Sequence, residues 1–381
     1  MQTDKKQLFL IVLIVFIGFV GVALPYPIFA PMFLHPQNDS IVPFNWQFSP
    51  RGIMLGFALS VYPFGQFIAS PILGAFSDYY GTKKLLLICL LGTTVGYLVT
   101  ALSIYLKSII FLIISRFITG ILEGNIAIAR AMAADLNEVS KYRGFGLIGV
   151  ATTFGYILGP LMGGVLADNH IVSWFNFYVS FCFAALLSLL ASMVTLLYLN
   201  QPLRVTKIQR PSFIKPLNFF ERIRQLKQNK ALTNALFVMF FLSLAVDTYY
   251  EFYPVYLAGQ LGVTSGGIAV FTFVLAVAVC MGDLFLVPFL SKYLKDSKTV
   301  TYFSLLLAIF IGLILLTSQS GYLYFVFFVI GLTVAITTTT LIIMISNVSH
   351  EDFQGEVMGL ALSFRTLGDG VICLKDGVLS R

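Results

Sequence analysis

Ten apolar runs, each about 20 residues long, leave this chain few folds to choose from. They lie near residues 8–30, 52–75, 85–106, 109–133, 145–167, 173–199, 231–257, 266–290, 300–319 and 322–346, with an eleventh candidate at about 357–374. A run of about 20 apolar residues crosses a bilayer as a helix. Composition agrees: 58% of the 381 residues are hydrophobic and 11% are charged, whereas soluble domains carry roughly 25% charged residues. One soluble core cannot hide that much apolar surface, so lipid is the solvent for much of it. The expected class is an all-α integral membrane protein. The opening "MQTDKKQLFLIVLIVFIGFVGVAL" has the flavour of a secretion signal. Its apolar run is too long for that and no small-residue cleavage site closely follows, so it is read as a retained first span.

Basic residues fix the expected orientation. Lys5 and Lys6 precede the first span, Lys83 and Lys84 follow the second, and Lys141 and Arg143 follow the fourth. A basic loop follows the sixth, and Lys292, Lys295 and Lys298 follow the eighth, while the opposite loops hold only Arg51 and Lys107. Positive loops stay inside, which predicts a cytoplasmic N-terminus. The formal charge of +7 is then a topology signal, and a nucleic-acid partner is not expected. The predicted organisation is a six-helix bundle over 1–200, a basic cytoplasmic linker over 201–230 and a second bundle over 231–381. Within the linker, Phe219–Leu226 reads equally as a short amphipathic surface helix or as a solvated connection. Two related halves are a common transporter plan. "GAFSDYYGTKK" closes the second span and "PFLSKYLKDSK" closes the eighth 214 residues later, setting Ser77 on Ser291 and Tyr79 on Tyr293.

Three stretches resemble the signatures of the major facilitator superfamily. In "GAFSDYYGTKK", Gly74, Asp78, Gly81, Lys83 and Lys84 match the loop motif between spans two and three, with Tyr79 in place of a usual Arg. Gly74 permits close helix approach and Gly81 a tight turn, while Asp78 can cap a helix N-terminus or pair with a cation and latch a cytoplasmic gate. "SRFITGILEGN" resembles the span-four motif, with Arg116 and Gly120. "GYILGPLMGG" resembles the span-five signature of antiporters, with Gly155, Gly159, Pro160, Gly163 and Gly164. The resemblance implies a two-bundle helical transporter, of the branch that exports tetracyclines and other drugs in exchange for protons. The superfamily pattern has twelve spans, so a shortened second bundle is expected here. Its eleventh segment, "VMGLALSFRTLGDGVICLKDG", sets Arg365 and Asp369 four residues apart, where they can pair.

An ionisable group at bilayer depth costs roughly 2.5–3.5 kcal/mol on insertion scales, so it needs a partner or a polar cavity. Glu123 sits mid-span with Arg116 seven residues before it and Arg130 seven after, all on one face of an ideal helix. Asp247 lies in "SLAVDTYYEFYPVY" with Glu251 one turn on, and Asp283 lies in the eighth span. Glu123, Asp247, Asp283 and Arg116 are the candidate proton-coupling and substrate residues. Each has a structural alternative: Arg116 can brace the bundle, and Asp283 can pair with a backbone group. Carboxylates attract cationic or zwitterionic molecules. Tyr62, Tyr156, Tyr249 and Tyr250 are candidate aromatic contacts for them. Gln66 and Thr337–Thr340 are read as interhelical hydrogen-bonders.

The expected function is proton-coupled export of small amphipathic or cationic molecules by alternating access. An importer or exchanger of a nutrient, metabolite or siderophore with the same fold, and a non-transporting membrane partner, are the alternatives. An enzyme is not expected, since His35, His170 and His350 stand alone in loops. Cys89, Cys182, Cys280 and Cys373 lie in apolar runs without metal-binding spacing. No metal or cofactor is therefore expected, with a proton gradient as the energy source. The expected partners are membrane lipid, protons and the transported molecule, for a monomer in a bacterial inner membrane.

Overall fold

The computed structural model describes residues 2–34, 41, 48–136, 139–200, 229–316, 319–348 and 354–379. Among these, eleven helices are long and apolar enough to cross a membrane. They are Asp4–Leu34, Pro50–Tyr80, Thr82–Tyr105, Ile109–Ala134, Lys141–Ala167, Phe177–Tyr198, Lys230–Leu261, Gly266–Leu290, Asp296–Leu316, Gly321–Val348 and Gln354–Leu374, called here the first to eleventh spans. Most run a few residues past the apolar stretch that announces them, because a helix ends at its cap and not at the edge of the hydrocarbon. Most of the basic linker, including the amphipathic segment at 219–226, lies outside the described residues, as do His35 and His350.

Three spans are interrupted, each with a local cause. The first breaks between Gln2–Ala23 and Tyr26–Leu34. Pro25 has no N–H to continue the ladder, and its carbonyl accepts from Ile28 and Phe29 to start the next turn. The fourth breaks at Glu123 and Gly124, between Ile109–Leu122 and Asn125–Ala134. The eighth carries a π-turn, Gly282–Leu286, just before Val287–Leu290. Pro288 would otherwise clash with the carbonyl four residues back, and the wider turn absorbs it. Pro160, by contrast, sits within one uninterrupted helix, Lys141–Ala167.

Packing sorts the spans. The first lies against the fifth and sixth, the third against the fourth and sixth, and the second against the fourth. The seventh lies against the tenth and eleventh, and the tenth also meets the eighth and ninth. Two seams join these groups: the second span along the eleventh, and the fifth against the eighth and tenth. Both seams use glycine. A Cβ on Gly74 would strike the Gly355 carbonyl, and one on Gly359 would strike the Ser70 backbone. A Cβ on Gly146 or Gly149 would strike Asp283. Small residues at such crossings let backbones approach, which is how helices gain contact where lipid is as apolar as a side chain.

The two serines aligned 214 residues apart make the same local bond, one that Ser60, Ser103, Ser115 and Ser192 also make. Ser77 Oγ donates to the Gly74 carbonyl at 2.7 Å, and Ser291 Oγ donates to the Pro288 carbonyl at 2.9 Å, three residues back in each case.

Candidate functional site

A chamber opens where spans one, two, four, five and eleven face one another. Its walls include Phe19 and Tyr26, Tyr62 and Gln66, Arg116, Tyr156, and Arg365, Thr366, Asp369 and Cys373. A polar chamber inside so apolar a protein has to be built from side chains whose burial is offset by one another.

On the wall from the first six spans, Arg116 is 3% exposed. Its guanidinium carbon lies 4.4 Å from the centre of the Tyr62 ring and 5.6 Å from that of Phe29. Arg116 Nε and Nη1 and the Tyr62 hydroxyl are buried without hydrogen-bond partners. Close packing puts Arg116 there: a Cβ on Gly120, one turn on, would strike the Tyr62 carbonyl, and one on Gly65 would strike the Phe117 carbonyl.

Glu123 is placed differently. Glu123 ends the helix that carries Arg116, its N–H still on the Thr119 carbonyl, and lies close enough to Arg116 for their charges to interact, while the break at Glu123–Gly124 redirects the chain that follows. Its Oε1 accepts from the Tyr97 hydroxyl at 3.2 Å and its backbone carbonyl accepts from Gln66 Nε2 at 3.2 Å. It is 1% exposed, its Oε2 has no partner, and it does not line the chamber. Gln66 therefore does two things, lining the chamber and tying the second span to the break in the fourth. Arg130 is buried beyond the break, close enough to Arg365 for their charges to interact.

The opposite wall comes from the eleventh span. Arg365 and Asp369, one helical turn apart, both line the chamber. Asp247 of the seventh span lies close enough to Asp369 and Arg365 for their charges to interact. The sequence singles out Arg365 and Asp369 only as a possible pair within an unusual last helix. Their i,i+4 spacing inside an apolar run was the signal that they share an inward face.

The aromatic candidates divide. Tyr62 and Tyr156 line the chamber, and Tyr250 is 38% exposed and near enough to Asp247 and Arg365 to sense them. Tyr249 is in the core of the second group of spans. It stacks on Tyr253 at 5.3 Å and meets Phe327 at 6.0 Å. Tyr26, at the break in the first span and within the stretch "GVALPYPIF", also lines the chamber.

Asp283 lies outside the chamber, on the π-turn of the eighth span, 2% exposed. Thr339 Oγ1 of the tenth span donates to its Oδ1 at 2.6 Å, and Gly146 and Gly149 of the fifth span pass over it. Within the threonine run, then, Thr339 is an interhelical donor, whereas Thr337 and Thr338 bond back to their own helix.

The loop motif resolves residue by residue. Asp78 caps the eleventh helix, accepting from Gly355 N at 2.8 Å and Glu356 N at 2.9 Å. The free N–H groups and positive end of a helix favour a carboxylate there. Gly81 adopts φ 95° in the turn to the third span, a conformation that side chains resist. Lys83 Nζ donates to the Leu196 carbonyl at 3.0 Å, near the end of the sixth helix, and Lys84 is exposed. At the same end, the Tyr142 hydroxyl donates to Asp296 at 2.8 Å and Lys141 Nζ to Ser346 Oγ at 3.1 Å, both across the seams. In the span-five signature, Gly155, Gly159 and Gly163 pack on Phe19, Val20, Ala23 and Leu24 of the first span, while Gly164 faces open space.

The sequence profile of the Major Facilitator Superfamily matches residues 8–372. The chain belongs to that superfamily. Three relatives are instructive. The human major facilitator superfamily domain-containing protein 10 is 37% identical over 125 residues, 32% of this chain and 26% of its own length. Tetracycline resistance protein class H of Pasteurella multocida is 28% identical over 198 residues, 52% of this chain and 45% of its own. Quinolone resistance protein NorA of Staphylococcus aureus is 24% identical over 396 residues, covering 98% of this chain and 90% of NorA. The aligned parts thus span less than half of the first two relatives. The crystal structure of the human organic anion transporter MFSD10 (TETRAN) superposes with a TM-score of 0.78 at 19% identity, covering 99% of this chain and 95% of that one. At that identity the likeness is one of fold. The protein is a multi-pass membrane protein of a transporter superfamily.

Proposed function

We propose that this protein is a secondary active transporter that exports small amphipathic molecules, cationic or zwitterionic, in exchange for protons. One observation carries the reading: the chamber draws charge from both groups of spans, Arg116 on one wall and Arg365 and Asp369 on the other, with tyrosines between. Charges held at this depth are expensive and mark functional pathways by default, and a site between two groups of helices is where rocking exposes it to each side in turn. The resistance proteins among the relatives favour export over import.

On this reading the lysine-rich end faces the cytoplasm, and Asp78 and the Tyr142–Asp296 contact hold that end shut. A proton arriving from outside loads the Asp247–Asp369 pair. Once the cytoplasmic seams part, the proton leaves and the cationic group of the cargo takes its place. Glu123 and Asp283, buried behind the chamber and in the seam, accompany the change by taking and releasing protons as water reaches them. The protein needs no metal or cofactor, carries out no enzymatic chemistry and works as a monomer in a bacterial inner membrane.

The test is reconstitution in vesicles under an imposed proton gradient, with a panel of lipophilic cations, tetracycline-like compounds and siderophores. Gradient-dependent accumulation of the amphipaths, lost in Asp247→Asn and reduced in Glu123→Gln, is the expected result. Binding without accumulation would instead favour a non-transporting partner, and accumulation of siderophores alone the importer reading. Accumulation untouched by either substitution removes these carboxylates from the coupling.

A further inference from the structure

The two walls of the chamber are not equivalent. Arg365 has carboxylates at hand, Asp369 on its own helix and Asp247 on the neighbouring one. Arg116 feels the charge of one carboxylate, Glu123, behind the chamber wall, yet its donors are not taken up by it. Its Nε and Nη1 are buried without partners, and so is the hydroxyl of Tyr62, whose ring lies 4.4 Å from the guanidinium carbon. Glu123 does not serve as its hydrogen-bond acceptor, since Glu123 Oε2 is itself unpartnered and Oε1 belongs to Tyr97. A guanidinium kept only to brace helices would have its donors on carbonyls. An arginine 3% exposed with open donors, in the wall of a cavity, is a site prepared for an acceptor, and its planar fork matches a carboxylate.

We propose that Arg116, with the Tyr62 hydroxyl beside it, docks an anionic group of the transported molecule, so that the preferred cargo is a carboxylate-bearing amphipath and not a plain lipophilic cation. This rests on the chamber being the transport site, and it narrows the cargo class to molecules carrying a negative group. A carboxylate at Arg116 leaves the rest of the molecule lying against Tyr26, Tyr62 and Tyr156. Any cationic group it bears points toward Asp369 and Asp247.

A matched dye pair isolates that group. Rhodamine 110 carries a free carboxylate, and rhodamine 123 is its methyl ester. Equilibrium binding of each to the purified full-length protein in detergent needs no gradient. The acid is expected to bind about tenfold or more tightly than the ester, the scale of one charge-assisted contact. In Arg116→Gln the acid falls to the level of the ester while the ester changes less than about twofold, and Arg116→Lys lies between because it keeps the charge and loses the fork. Tyr62→Phe costs the acid about threefold and spares the ester, the size of one neutral hydrogen bond. An ester that binds the wild type as well as the acid overturns the proposal. So does an acid preference that survives in Arg116→Gln. Failure of the export reading looks different: the acid preference and its dependence on Arg116 persist, while neither dye accumulates in vesicles under a gradient.

Discussion

The two seams that join the halves are built alike in backbone and unlike in charge. Along the second and eleventh spans, Gly74, Gly355 and Gly359 bring main chain against main chain. Asp78 sits at the rim of that seam, with both oxygens on backbone N–H groups. Along the fifth and eighth spans, Gly146 and Gly149 allow the same closeness. There, however, the carboxylate is Asp283, deep in the seam with a single hydroxyl donor on Oδ1. On the proposed transport cycle the first seam would act as a latch, since a helix end offers N–H groups that are open anyway when the seam parts. The second would act as a sensor in that cycle, because a deep carboxylate is tolerated only while its surroundings stay arranged for it.

The largest effect should come from filling the glycine contact. Gly74→Val places side-chain carbons where the Gly355 carbonyl lies, and gradient-driven uptake of a fluorescent amphipath into vesicles should fall at least about tenfold. Normal uptake would show that this seam does not need to close.

Thr339→Val comes next. It removes the donor to Asp283 and leaves a buried carboxylate oxygen unmatched, a loss of about 1–3 kcal/mol. The melting temperature in detergent should drop by several degrees, and Asp283→Asn on its own should drop it less. Equal drops would mean that the charge at this seam has no special standing.

Asp78→Asn should do less again. One acceptor oxygen survives, and the surviving bond is no longer charge-assisted. Hydrogen exchange in the peptide 354–360 should quicken about tenfold, corresponding to roughly 1.4 kcal/mol, with little change elsewhere. A uniform change across the protein would recast Asp78 as part of general stability.

Tyr97→Phe removes the donor to Glu123 away from both seams and should cost about 1 kcal/mol of thermal stability. At the bottom of the series, Gly164→Ala should leave uptake and melting unchanged, because nothing lies within 4 Å of the added carbon. A defect there would mean that the antiporter signature acts through more than packing on the first span.

How far these features were legible depends on which physical rule carries them. Span positions follow from hydropathy alone, and all eleven are found. The kinds of contact that Gly74, Asp78 and Gly81 make follow from their chemistry, a close crossing, a cap acceptor and a positive-φ turn, but the partner of the first two, the start of the eleventh helix, does not. Glu123 shows the limit. Seven-residue spacing from Arg116 brings the two close enough for their charges to interact, but the hydrogen bond of Glu123 goes to Tyr97 of the third span and its side chain stays out of the chamber, which the spacing does not show. Tyr249 and Tyr250 are adjacent in sequence, and 100° of helical rotation puts one in an aromatic core and the other within reach of Asp247.

What the chain's order of residues determines by itself is how many times it crosses lipid, where the basic loops fall and where Gly81 can set a turn. Each of these is decided by a residue and its near neighbours, acting against a uniform solvent. What the tertiary structure alone decides is which charges meet. Arg116 is left with open donors while Arg365, besides the Asp369 of its own helix, gains Asp247, because the eleventh span lies along the second and beside the seventh, and contacts between helices more than a hundred residues apart leave no periodic trace in any one of them.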